Sequence, residues 1–107
     1  MKDLDTFREL ETLLDNRKNA DISTSYVAQL YKKGPYKIAQ KVGEEAVETA
    51  MAVAKGDDEE LIKEAADLLF HLMVLLKAKG MNLNSVATEL ARREGISGLT
   101  EKENRAN

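Results

Sequence analysis

Glycine divides this chain more decisively than any other residue. Gly34-Pro35, Gly56, Gly80 and Gly95 punctuate the sequence. Between them apolar residues recur at three- and four-residue steps with little strict alternation. Glycine suits the residue just past a helix end and proline the first helical position, whereas strands would show a two-residue period. The pattern predicts an all-α chain of about five helices.

Leu4, Phe7, Leu10 and Leu14 give an amphipathic helix over 4–18, fraying in the polar stretch 19–21. Ser23, Thr24 or Ser25 can cap a short helix over 26–33 that turns Val27, Leu30 and Tyr31 inward. Gly34 stops it and Pro35 starts a third helix, over 35–55. After Gly56, Asp57 or Asp58 caps a fourth, which runs to Gly80. Its broad apolar face comprises Leu61, Ile62, Ala65, Leu68, Leu69, Leu72, Met73 and Leu76. Asn82 or Asn84 caps a fifth, with Val86, Leu90 and Ala91 on its apolar side. One domain over 1–95 and a polar, mobile tail over 96–107 are expected.

Composition closes several functional classes. Lys+Arg 16 against Asp+Glu 19 leaves a formal charge of -3, which argues against a general nucleic-acid binder. The mean hydropathy of -0.42 and a longest apolar run broken at His71 argue against a membrane span, which needs roughly 20 apolar residues. The opening MKDLDTFREL lacks the basic and apolar regions of a signal peptide, so a cytoplasmic protein is expected. With no cysteine and one histidine, disulfide scaffolds, thiolate nucleophiles and Cys/His zinc sites are excluded. Any metal must be held mainly by oxygen.

Such oxygens are available on two neighbouring segments. At about 100° per residue, the third helix places Ile38, Val42, Ala46, Thr49, Ala50 and Val53 on one face. Lys37, Lys41, Glu44 and Glu48 lie opposite, with Glu45 on the border. The fourth helix gathers Glu60, Glu64, Asp67 and His71 into a stripe about 60° wide. Leu68 and Leu75 border that stripe on the core side, and Phe70 and Val74 lie beyond it, where a partner helix or subunit would cover them. Carboxylates shielded in this way take up protons unless cations neutralise them. Mg²⁺ suits carboxylates supplemented by water and phosphate. Two antiparallel helices joined at Gly56 would set Glu45 and Glu48 opposite Glu64 and Asp67.

Taken alone, each acidic motif is an ordinary solvated face in a chain that is 33% charged. Lys32, Lys33, Lys37 and Lys41 read the same way. His71 reads as a structural group bonded to Asp67 four residues earlier, and Met51, Met73 and Met81 as core filling.

The run SYVAQLYKKGPYKIAQKVGEEAVETAMA over 25–52, followed by DEELIKEAADLLFHLMVLL over 58–76, resembles the phosphoribosyl-ATP pyrophosphatase family. That family falls within the all-α NTP pyrophosphohydrolase (MazG-like) superfamily. The likeness extends over about residues 4–94, and the string KGPYKIAQKVGEEAVE over 33–48 is its most specific part.

The resemblance implies metal ligands at Glu45 and Glu48 (ExxE) and at Glu64 and Asp67 (ExxD). It also implies Glu44 as a further participant, and phosphate contacts from Lys37, Gln40 and Lys41. The implied reaction is Mg²⁺-assisted hydrolysis of phosphoribosyl-ATP, with Mn²⁺ as a substitute and Glu44 or Glu48 accepting the proton of water. The substrate carries a second ribose phosphate, for which Lys32 and Lys33, one helix before Lys37 and Lys41, are the candidates. The superfamily further implies a helical bundle completed by homodimerisation, as a dimer or dimer of dimers, with Phe70 and Val74 in the interface. A sibling enzyme cleaving ordinary nucleoside triphosphates shares the same acidic motifs. A helical dimeric interaction protein without catalysis is the alternative of another class.

Overall fold

The computed structural model describes residues 2–94 as five helices, and the expected tail over 96–107 lies outside the described residues. Helix α1 spans Lys2–Asn16, α2 Tyr26–Lys33, α3 Pro35–Lys55, α4 Asp58–Ala78 and α5 Leu83–Arg92. No strand occurs among the described residues.

The helix ends follow local chemistry. Ser25 accepts a hydrogen bond from the Ala28 amide and opens α2, Asp57 accepts from the Glu60 amide and opens α4, and Asn82 forms a capping box with Ser85 at the start of α5. Gly34 separates α2 from α3 at φ 90° and ψ 168°, a region essentially reserved for glycine. Its amide also donates to the Leu30 and Tyr31 carbonyls, each at 3.2 Å. The chain therefore reverses in one residue, and Lys33 at the end of α2 comes beside Lys37 in the first turns of α3.

The long helices α3 and α4 have 21 residues each, about 31 Å of helix, and fold back on one another through Gly56-Asp57. Helix α2 packs across both, and α1 packs on α4. The core is built from Leu14, Val27, Leu30, Ile38, Met73 and Val74. Polar ties fix its edges. The Tyr31 hydroxyl donates to the Leu14 carbonyl at 3.1 Å, Lys77 pairs with Asp15 at 3.0 Å, and the Leu83 amide donates to Glu11 at 2.8 Å.

The packing corrects the expected faces of α4. Val74 is 0% exposed and Phe70 packs against the core, so neither forms a free face. Ile62 and Leu69, read as core residues, are instead 70% and 41% exposed. A helical wheel orders the side chains but does not say which flank a third helix covers. Here α1 and α2 take the Phe70/Val74 flank. On α3, Glu45 is buried, whereas Ala46, Ala50 and Val53 face outward. Val86 and Leu90 of α5 are also exposed. Exposed apolar residues on the long pair include Tyr36, Ala39, Val47 and Ala50 on α3 and Ile62 and Leu69 on α4.

Candidate active site

The fold-back of α3 on α4 brings carboxylates from both helices to one point. One oxygen each of Glu45, Glu48 and Glu64 lies within 4.8 Å of the others. Glu45 is only 7% exposed, Glu64 is half-buried and Glu48 faces solvent. Two of the oxygens, Glu45 Oε2 and Glu64 Oε2, are buried without a hydrogen-bond partner. Asp67, one helical turn beyond Glu64, lies outside the triad's mutual 4.8 Å set but adds negative charge near Glu45.

Burial and neighbouring carboxylates raise the proton affinity of two members of this cluster, Glu45 and Glu64. Burial is the main cause of the raised pKa of Glu45, followed by its contact with Glu48 and the charges of Glu48 and Asp67. Glu64 is pushed up to about 7, chiefly by the neighbouring carboxyl group of Glu60 and then by that of Glu48. Converging carboxylates with orphaned buried oxygens demand positive charge. Three oxygen donors from two rigid helices match the ligand preference of a hard divalent cation.

Histidine is kept out of the donor set. His71 Nδ1 lies 2.8 Å from the Asp67 backbone carbonyl, which can only accept, so Nδ1 carries the proton. The ring's Nε2 lies 2.9 Å from the Tyr26 hydroxyl, which in this tautomer donates to it. The expected bond to Asp67 thus exists through its backbone, not its carboxylate. The ring stands 3.9 Å from Glu45 Oε1 and props the helix pair from inside.

Beside the acids lies a basic cleft of about 310 Å³. Lys33, Lys37, Gln40, Lys41 and Glu44 line it, with Tyr26 and Leu30. Lys41 connects cleft and cluster through an ion pair with Glu45 at 3.8 Å. Gln40 donates to Glu44 Oε2 at 3.1 Å, so Glu44 belongs to the cleft. Lys33 shares this cleft with Lys37 and Lys41 rather than standing apart from them, because the Gly34 reversal folds α2 onto α3. Lys32 opens onto a different depression, lined by Ile22, Ser23 and Gln29, which Lys33 also borders. Tyr26 was not singled out by sequence. Its partner His71 is 45 residues away, and no local spacing connects them.

The described residues thus form an all-helical fold in which carboxylates converge from two antiparallel helices beside a lysine-lined cleft. Residues 7–94 match the family described as phosphoribosyl-ATP pyrophosphohydrolase, and the chain belongs to that family. It is 55% identical over 102 residues to the phosphoribosyl-ATP pyrophosphatase of Erythrobacter litoralis, covering 95% of this chain and 98% of that one. The protein of the same name from Novosphingobium aromaticivorans is 57% identical over 98 residues, 92% of each chain. The histidine biosynthesis bifunctional protein HisIE of Vibrio cholerae is 56% identical over 85 residues, 79% of this chain but 40% of that larger protein.

Proposed function

We propose that this chain hydrolyses phosphoribosyl-ATP to phosphoribosyl-AMP and pyrophosphate, the second step of histidine biosynthesis. The observation that carries the reading is the meeting of Glu45, Glu48 and Glu64 within 4.8 Å, with two buried oxygens left unpartnered, in a chain of this family. Those residues and Asp67 would hold Mg²⁺, or Mn²⁺ in its place. The bound cation supplies positive charge for the phosphate oxygens and lowers the pKa of water.

The chain's own groups do the rest. Lys37 and Lys41, beside the acids, receive the polyphosphate and stabilise charge that builds on the pyrophosphate as it leaves. Water adds across the α–β anhydride and one proton must be taken up. Of the two candidate acceptors, Glu48 lies in the cluster and Glu44 in the cleft, so Glu44 takes the proton while Gln40 fixes its other oxygen. Lys33 extends the basic wall for the remaining phosphate.

The working unit is a homodimer. The interface would use the exposed apolar residues of the two antiparallel helices, Tyr36, Ala39, Val47 and Ala50 on α3 with Ile62 and Leu69 on α4. Pairing them with their copies completes a four-helix bundle. No described helix is long and apolar enough to cross a membrane, and the reaction belongs with the nucleotide pools of the cytoplasm.

Cation binding tests the site without turnover. A cation that binds the folded chain alone, at a hundredfold excess over Kd, stabilises by about 2.7 kcal/mol, or roughly 10–20 °C in Tm for a domain of this size. Mg²⁺ and Mn²⁺ are expected to raise Tm in this way, and Glu45→Gln/Glu64→Gln to abolish the rise. Equal midpoints with and without cation in the unaltered protein would remove the metal from the account.

A further inference from the structure

The basic cleft is rich in groups for phosphate and poor in groups for anything else. Lys33, Lys37 and Lys41 supply charge, Gln40 and Glu44 supply hydrogen bonds, and Leu30 is 2% exposed and offers almost no surface. The remaining lining residue is Tyr26, which is 47% exposed. It is the one aromatic ring among the residues of that wall.

The ring is held from two sides. Phe70 lies parallel to it, with 6.3 Å between centroids and 17° between planes. Its hydroxyl is anchored on buried His71 at 2.9 Å. His71 in turn meets both rings edge-on, at 6.0 Å from Tyr26 and 5.1 Å from Phe70. An exposed tyrosine on a helix surface ordinarily samples several rotamers, and fixing one costs entropy. Here the hydroxyl bond and the two ring contacts hold it at the mouth of a phosphate-binding cleft. A planar heteroaromatic ring gains from a preformed platform of this kind, because stacking needs little reorganisation on either side.

We propose that Tyr26 is the base-stacking residue of this cleft, packing against the purine of the nucleotide whose phosphates reach Lys37 and Lys41. The assignment rests on the reading of the chain as a hydrolase of an adenine nucleotide, and names the surface that recognises the non-phosphate half of that substrate. The hydroxyl serves to hold the ring through His71 and does not touch the reacting atoms. Tyr26 is therefore a binding residue, and its removal is felt in KM and not in kcat.

Two product-side probes separate base from phosphate: AMP, which carries the purine, and pyrophosphate, which lacks it. With Mg²⁺ present, Tyr26→Leu is expected to weaken inhibition by AMP about tenfold to a hundredfold, the range of base–aromatic stacking. KM for phosphoribosyl-ATP should rise by a similar factor, while inhibition by pyrophosphate and affinity for Mn²⁺ stay within twofold. Tyr26→Phe, which keeps the ring, is expected to retain AMP inhibition within about threefold. The chain has no tryptophan, so Tyr26→Trp adds a reporter at the site whose emission AMP should quench and pyrophosphate should not. Undiminished AMP inhibition in Tyr26→Leu, equal losses for AMP and pyrophosphate, or no quenching by AMP would each overturn the assignment. Should Tyr26→Leu fail to fold, the tryptophan variant decides alone. An unaltered protein that binds AMP through Tyr26 but leaves phosphoribosyl-ATP intact would defeat the proposed activity and spare the base site.

Discussion

Replacing Glu48 by glutamine is expected to lower kcat about 10²- to 10³-fold, the rate equivalent of the several kcal/mol that a correctly held cation contributes to phosphate chemistry. The fold should survive. Glu48 is exposed, and it is one of the groups whose negative charge raises the pKa of its neighbours Glu45 and Glu64. Removing one charge from that cluster relieves repulsion, so Tm without cation should hold or rise while affinity for Mn²⁺ falls. This inverse pairing, a silenced enzyme with an undamaged fold, separates a ligand from a structural residue. Asp67→Asn is expected to act in the same direction and less strongly, because Asp67 lies outside the closest group of oxygens. Unchanged kcat in Glu48→Gln would remove Glu48 from the mechanism.

Leu69→Glu and Phe70→Glu, adjacent in sequence, are expected to fail in different ways. Leu69 is 41% exposed, so a charge there costs the isolated chain little and would cost the proposed dimer a great deal. Burying a leucine is worth about 1.5–3 kcal/mol, and two-fold symmetry counts it twice. Dimer dissociation should therefore become stronger by roughly 10² to 10⁴, seen as a halved mass in sedimentation at micromolar protein with helicity retained. Phe70 packs against Val74 and the rest of the core, so Phe70→Glu should lower Tm instead. A Leu69→Glu protein of unaltered mass would place the interface elsewhere.

Much of the fold is legible in the sequence because its breaks are chemical and local. Ser25, the Gly34-Pro35 pair and Gly56 mark the ends of α2 and α3, and the observed boundaries Tyr26–Lys33 and Pro35–Lys55 lie where those residues put them. The convergence of Glu45 and Glu48 with Glu64 is legible for a related reason. A two-residue connection leaves two long helices little choice but to lie side by side, and helical spacing then sets which residues meet. What depends on a third element is not legible. Phe70 and Val74 read as an outer face because nothing in the spacing of α4 says that α1 and α2 will cover that flank. Glu45 reads as a border residue because the angle of α3 against α4 sets its burial. Lys33 joins Lys37 and Lys41 through the backbone reversal at Gly34, and Tyr26 reaches His71 only when α2 lies across the pair.

Pyrophosphate release from phosphoribosyl-ATP, set beside ATP and the deoxynucleoside triphosphates with Mg²⁺ and again with excess EDTA, tests the central claim most directly. Rapid release from phosphoribosyl-ATP in Mg²⁺, slow release from the ordinary triphosphates and none in EDTA is the expected result. Full turnover in EDTA, or a preference for ordinary triphosphates over phosphoribosyl-ATP, would contradict it.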